Sequence, residues 1–177
     1  YVGTHSFVIK VTDNSGAFDT KTFSLTINNV NDPPVLEAIT DKATNEDASF
    51  SYQLTASDAD MSIDVDEMLT FEAVSKPEWM IVSSSGLITG TPENEDVGDH
   101  TVTVKVTDSA GASDTKTFTL TVNNVNDAPE FTFTAPSSTD EDAAFSYQLT
   151  AIDVDVDVVA ETLTYEVVEK PDWMTVS

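Results

Sequence analysis

VTDNSGAFDTKTFSLTINNVNDPP, beginning at Val11, and VTDSAGASDTKTFTLTVNNVNDAP, beginning at Val106, are one stretch written twice. Working outward, EDASFSYQLTASDAD from Glu46 returns as EDAAFSYQLTAIDVD from Glu141, and LTFEAVSKPEWMIVS from Leu69 returns as LTYEVVEKPDWMTVS from Leu163. The last pair is closer by one residue than the other two, so one residue is lost in the acidic loop between them. Such near-identity marks a duplicated unit, and a unit of about 95 residues is the size of one β-sandwich domain.

The strands are legible by alternation. Phe7, Ile9 and Val11 alternate with Val8, Lys10 and Thr12, and Phe23, Leu25 and Ile27 alternate with Thr22, Ser24 and Thr26. Val102, Val104 and Val106, then Phe118, Leu120 and Val122, repeat this pattern. Phe50, Tyr52 and Leu54 form a further strand, with Phe145, Tyr147 and Leu149 as its copy, and Leu69, Phe71 and Ala73 give one more. Asn14-Ser15-Gly16 and Ser84-Ser85-Gly86 are turn signals. No stretch has helical period. The class is all-β, with antiparallel strands.

The breaks fall at Asn29-Val30-Asn31-Asp32-Pro33-Pro34 and Asn124-Val125-Asn126-Asp127-Ala128-Pro129, because proline ends ladder pairing and stiffens a linker. On this phase 33–127 is one whole repeat, 1–32 the closing strands of a preceding repeat, and 128–177 the front half of a following one. The two partial pieces are complementary. They are expected to complete one sandwich between neighbouring molecules, as a swapped dimer or head-to-tail chain.

Composition narrows the partners. Thirty-two Asp and Glu stand against 7 Lys and Arg, a formal net charge of −25. Nucleic acid and anionic membrane surfaces are repelled by such a chain, and no apolar stretch is long enough to span a bilayer. Self-repulsion on this scale calls for cations. An acidic disordered tail is excluded by 9 Phe, 4 Tyr and 2 Trp in strand patterns, and the absence of cysteine excludes disulfides.

The acids recur at matched positions. The linkers carry Asn31 and Asp32, or Asn126 and Asp127; the loop after the Phe-Tyr-Leu strand carries Asp58 and Asp60, or Asp153 and Asp155. Asp64 and Asp66 follow in one copy and Asp157 in the other. In an extended loop, Asp-x-Asp spacing puts both carboxylates on one side. Asp13 and Asp108 open the hairpin turns, and Glu46-Asp47 and Glu141-Asp142 follow the linkers. Oxygen-only donors in this number point to calcium, which takes six to eight hard ligands. Glu67, Glu72, Glu78, Glu93, Glu95 and Glu166 are read as solvated surface carboxylates. Trp79 and Trp173 are read as core beneath the Lys-Pro turns, His5 and His100 as structural. No nucleophile elbow, phosphate loop or zinc spacing is present, so the chain is read as no enzyme.

The ordered set NVND-x-P, ED-x-x-F, D-x-D, KP-x-WM-x-VS with G-x-I-x-GTP, and VTD-x-x-G-x-x-D resembles dystroglycan-type cadherin-like repeats along nearly the whole chain. The resemblance implies an Ig-like, cadherin-like Greek-key β-sandwich with calcium between successive repeats. By that analogy Asn31, Asp32, Asp58, Asp60 and Asp108 line the first junction, and Glu46, Asn126, Asp127, Asp153 and Asp155 the second. Asp13 is of the residue type that would complete the second. Where cadherins place an acidic L-D-R-E motif, this chain has Gly86-Leu87-Ile88-Thr89-Gly90-Thr91-Pro92, which implies fewer ligands and weaker sites. The function implied is calcium-dependent rigidity, adhesion or self-association in a large extracellular bacterial protein. The alternative is a carbohydrate-binding module of a secreted polysaccharide-degrading protein.

Overall fold

The computed structural model describes residues 1–63, 66–157 and 159–174; Asp64 lies outside these ranges, and of Asp157 only the backbone is described. Strands β1 (Gly3–Thr12) and β2 (Phe18–Ile27) form a first hairpin. The central repeat follows as β3 (Val35–Leu36), β4 (Lys42–Asn45), β5 (Phe50–Gln53), β6 (Ala56–Ser57), β7 (Thr70–Ser75), β8 (Ile81–Val82), β9 (Leu87–Gly90), β10 (Gly98–Thr107) and β11 (Ser113–Asn123). Short β12 (Glu130–Phe131) and β13 (Ala151–Ile152) come last.

The central repeat is an Ig-like β-sandwich. One sheet runs β4-β11-β10-β7 and the other β5-β9-β8, with the ribbon β3-β6 beside them. Alternation in the sequence decides what faces inward. Val102, Val104 and Val106 on β10 and Phe118, Leu120 and Val122 on β11 are at most 3% exposed. All of them but Val122 meet Leu36, Phe50, Leu54, Met80 and Ile88 in a single core. Each such side chain contributes about 1.5–3 kcal/mol when fully buried. At Gly90 an added Cβ would lie 2.6 Å from both the Trp79 ring and the Trp79 carbonyl oxygen, so glycine is what lets the Lys-Pro-x-Trp turn lie on β9. Among the described residues every ladder is antiparallel except one: β4 pairs with β11 in parallel, Leu120 opposite Lys42. The expected antiparallel pattern needs that correction. Lys42-Ala43-Thr44-Asn45 carries no apolar alternation from which the pairing could be read.

The first hairpin copies the second in register. Phe7 lies opposite Phe23 as Val102 lies opposite Phe118, and His5 opposite Leu25 as His100 opposite Leu120. The burial differs completely. Phe7, Phe23, Leu25 and Ile27 are 40–51% exposed, held only by contacts such as the Phe7–Phe23 stack at 5.2 Å.

In the last segment β12 pairs with β13, Phe131 opposite Ala151, as β3 pairs with β6 in the central repeat. The strand expected at Phe145, Tyr147 and Leu149 does not form. Its counterpart β5 is held by β9, and no strand among the described residues pairs with 145–149. Phe131, Phe133, Tyr147 and Tyr165 instead gather in an aromatic cluster with ring centroids 5.2–6.3 Å apart.

Candidate metal centres at the two junctions

Asp58-Ala59-Asp60 does not run extended. Asp58 Oδ1 accepts the Asp60 N–H at 2.8 Å, and a 3₁₀ turn over Asp60–Ser62 follows. This turn, rather than strand alternation, gathers the two carboxylates. Asp60 is pressed inward to 1% exposure, and its Oδ2 accepts the Asp32 N–H of the linker at 2.7 Å. Asp108, at the mouth of the β10–β11 turn, is 5% exposed. Its Oδ1 accepts the Ala112 N–H at 2.7 Å and its Oδ2 accepts the Asn31 amide at 2.8 Å. The linker Asn31-Asp32 is thus bonded to two buried carboxylates of the repeat it enters. These hydrogen bonds link the five residues assigned to the first junction, Asp32 through its backbone N–H, but among the described residues they do not bring three carboxylates together there as at the second junction.

The second junction repeats the plan. Asp153 Oδ1 accepts the Asp155 N–H at 3.0 Å, and Asp155 Oδ2 accepts the Asp127 N–H at 2.7 Å. Asn126 donates to the Asp127 carbonyl at 2.6 Å. Glu46, 2% exposed, accepts the Val125 N–H at 2.6 Å through Oε1. Glu46 and Asp155 therefore hold linker N–H groups two residues apart. Asp13 is not at either site. It is exposed, and its Oδ1 accepts the Ser15 and Ala17 N–H groups of its own turn, both at 2.9 Å.

Glu161 was missed in the sequence. One carboxylate oxygen each from Asp153, Asp155 and Glu161 lie within 4.8 Å of one another. Asp153 and Glu161 border a cleft of about 240 Å³ whose walls include Asn126, Asp127, Phe131 and Tyr165. The signal was available, because Glu161 is the copy of Glu67. Glu67 itself accepts the Ser109 N–H at 3.0 Å beside Asp108, so it too belongs to the junction rather than to open surface. Two amides were missed as well. Asn94 donates to the Val154 carbonyl at 2.7 Å, next to Asp155, and Asn124 precedes the Val125 held by Glu46.

The electrostatics of these sites are incomplete. Among the described residues, Asp58 Oδ2 and Asp60 Oδ1 at the first junction are buried acceptors with no donor. So are Glu46 Oε2, Asp155 Oδ1, Asn94 Oδ1 and Asn124 Oδ1 around the second. A buried acceptor without a partner costs about 1–3 kcal/mol, more when charged. The oxygens of Asp153, Asp155 and Glu161 that lie within 4.8 Å of one another are like charges that repel. A divalent cation removes both penalties. The donor set is oxygen only, which suits a hard cation and not a thiolate- or imidazole-seeking metal.

Two carboxyls are held below the ordinary range. The Asn31 amide does this to Asp108, opposed by desolvation and helped by the backbone N–H groups of Ala112, Gly111 and Ala110. The Lys116 ammonium does it to Asp114, whose Oδ2 also accepts the Leu36 N–H at 3.0 Å. Both groups bind their proton more weakly folded than unfolded, where the carboxyl titrates near 3.8. Their stabilisation is therefore present above that value and lost as pH falls through the folded ones. Thermal melts in chelator should show the melting temperature dropping below about pH 4, and Asp114→Asn should flatten part of that drop.

The tryptophans diverge. Trp79 is half-buried against the core, edge-on to His100 at 6.4 Å, whereas Trp173 is 69% exposed. The expected core position holds for the first only. Each histidine bonds to a backbone carbonyl four residues earlier, His5 to Tyr1 and His100 to Asp96.

Comparison with known proteins agrees with this architecture. The extracellular cadherin domains 1–5 of protocadherin Gamma B2 match with a TM-score of 0.60 at 20% identity, covering 86% of this chain and 32% of that one. A protocadherin gammaB7 EC3-6 cis-dimer structure matches at 0.57 and 18%, covering 86% and 43%. Chicken VE-cadherin EC1-2 matches at 0.50 and 19%, covering 68% and 67%. The chain spans 19–43% of most of the solved chains it resembles. No curated protein matches its sequence. At these identities the likeness concerns the fold. A family model described as "Putative Ig domain" matches residues 33–123, just over half of the 177 residues. The chain belongs to this Ig-domain family, with the cadherin-like form of its sandwich.

Proposed function

We propose that this chain is a calcium-binding, dystroglycan-type cadherin-like segment of a large extracellular bacterial protein. Calcium at the junctions sets the rigidity of the array and its association with like repeats. The observation that carries this reading is the set of buried acceptor oxygens without donors at both junctions. Asn31, Asp32, Asp58, Asp60 and Asp108 would hold calcium at the first. Glu46, Asn126, Asp127, Asp153, Asp155 and Glu161 would hold it at the second. The cation supplies positive charge to a cluster of anions.

The chain's own residues do the rest. The Asp58 and Asp153 side chains shape the turns that present Asp60 and Asp155. Those two in turn fix the linker backbone at Asp32 and Asp127. A carboxylate bonded to the linker and to a cation together ties the angle between repeats to calcium. The work is mechanical and adhesive, not catalytic. Self-association fits the cis-dimer form of the gammaB7 neighbour, and the swapped or head-to-tail pairing is its specific version here. A polysaccharide partner gains no support from the central repeat, where none of Phe50, Tyr52, Phe71, Trp79 and Phe118 is exposed. No helix among the described residues is long and apolar enough to cross a membrane.

Thermal melts test the reading. Extracellular calcium modules bind at about 10⁻⁴–10⁻³ M. At about a hundredfold excess over the dissociation constant, calcium adds about 2.7 kcal/mol. For a domain of this size that raises the melting temperature by about 10–20 °C over chelator. Equal melting in calcium and in chelator would remove the proposal.

A further inference from the structure

The stretch Gly86–Pro92 carries no acid, and the Glu93 and Glu95 that follow it read as surface carboxylates. In the structure the acids of this segment are spent on the turn itself. Asp96 Oδ2 accepts the Glu93 N–H at 3.0 Å, and the Glu93 side chain accepts the Asp96 N–H in return. This capping box fixes a 3₁₀ turn over Asn94–Asp96, with Glu93 and Glu95 exposed. Asn94 is the residue that the turn sends across the second junction. Its Nδ2 donates at 2.7 Å to the carbonyl of Val154, which lies between Asp153 and Asp155. Its Oδ1 is shut off from water and has no donor.

The turn is tied to the other parts of the central repeat that reach this junction. The Asp47 N–H bonds the Pro92 carbonyl at 2.8 Å, and the Glu46 N–H bonds the Asn123 carbonyl at 3.0 Å. Glu46, 2% exposed, spends Oε1 on the Val125 N–H and leaves Oε2 without a donor. Across the junction Asp155, fully buried, spends Oδ2 on the Asp127 N–H and leaves Oδ1 without one. Segments bonded to one another thus each bury an oxygen that nothing in the protein satisfies. If Asn94 served only to hold Val154, its oxygen would be buried unpaired at a cost to stability. Calcium accepts neutral amide oxygens alongside carboxylates, and six to eight oxygens in all.

We propose that Asn94 is a calcium ligand of the second junction, its Oδ1 joining Glu46 Oε2 and Asp155 Oδ1 on the cation. One side chain then ties the two repeats through Nδ2 and coordinates the ion through Oδ1. The 3₁₀ turn after β9 becomes an arm of the site, and it supplies a neutral oxygen where the surrounding ligands are charged. The proposal rests on the calcium reading above and adds to it a ligand that the acid pattern of the sequence does not mark.

Calcium titration calorimetry on the full 177-residue chain carrying Asp60→Asn, which removes the first junction's site, reads the second junction alone. In that background Asn94→Ala should weaken binding about tenfold or more. Asn94→Asp loses the bond to Val154 but keeps a ligand oxygen and adds a charge, so it should bind as tightly as the parent or tighter. Terbium luminescence lifetimes in light and heavy water count the waters on the bound ion. Asn94→Ala should gain a water there, and Asn94→Asp should not. A loss of affinity shared equally by both variants, with the water count unchanged, would mean that Asn94 only holds Val154, and would overturn the ligand while sparing the calcium reading. Affinity unchanged in Asn94→Ala would overturn it as well. No calcium binding in the Asp60→Asn background, with Asn94 intact, would instead remove the calcium reading at this junction, and the inference with it.

Discussion

Asp60→Asn should remove most of the calcium-dependent stability of the first junction, yet leave the chain no less stable in chelator. Asn keeps an oxygen that can accept the Asp32 N–H, so the linker bond at 2.7 Å survives. What goes is a negative charge that is 1% exposed, has one oxygen without a donor, and neighbours Asp58. Without a cation that charge is a burden, because a buried ion that is not fully compensated destabilises by several kcal/mol. With a cation it is a ligand. The two melting curves should therefore cross. In calcium the variant should melt lower than the parent by about 10 °C, and in chelator at the same temperature or higher. A purely structural role for Asp60 would lower both curves together.

The second large effect lies in the core. Leu120→Ala should destabilise the central repeat by about 2–5 kcal/mol, the range for deleting a buried leucine side chain. Leu120 is fully buried on β11, between Phe118 and Val122 on the same face. Against a total of about 5–15 kcal/mol for a typical domain, such a loss lowers the melting temperature by 10 °C or more. Leu25 is the same residue in the first hairpin and is 51% exposed. Leu25→Ala should change the melting of dilute protein by no more than about 0.5 kcal/mol. Two leucines in near-identical sequence should thus differ severalfold in effect, because only one has a second sheet in front of it. Denaturant unfolding of both variants at low concentration checks this.

That contrast shows what could be read from sequence and what could not. The hairpin register was fully legible, since Phe7-x-Ile9-x-Val11 and Phe23-x-Leu25-x-Ile27 alternate in one copy as Val102-x-Val104-x-Val106 and Phe118-x-Leu120-x-Val122 do in the other. The inward face was legible only where a facing sheet exists: the pattern of β1–β2 foretells burial that the hairpin alone cannot achieve. The strand at Phe145 and Leu149 failed for the same reason, because strand propensity without a β9-like partner does not make a ladder. The parallel β4–β11 pair was hidden by its polar sequence.

At the junctions, the linker amides, the Asp-x-Asp pairs, Glu46 and Asp108 stood out because they recur. The sequence did not reveal that Asp-x-Asp is bent into a 3₁₀ turn, a local competition won by the Asp58 side chain bonding its own backbone. Glu161 escaped notice because its copy, Glu67, looked like one more surface acid in a chain with 32 acidic residues. Only the fold shows Glu67 bonded beside Asp108 and Glu161 among the carboxylates of the second junction.

The central claim is that the unpartnered buried carboxylate oxygens of both junctions are calcium ligands. Isothermal titration calorimetry of the chelator-treated chain with calcium measures this directly. The account predicts saturable binding in the range of about 10⁻⁴–10⁻³ M, with one class of sites lost in Asp60→Asn and the other in Asp155→Asn. No saturable heat, or binding unchanged in both variants, would contradict it.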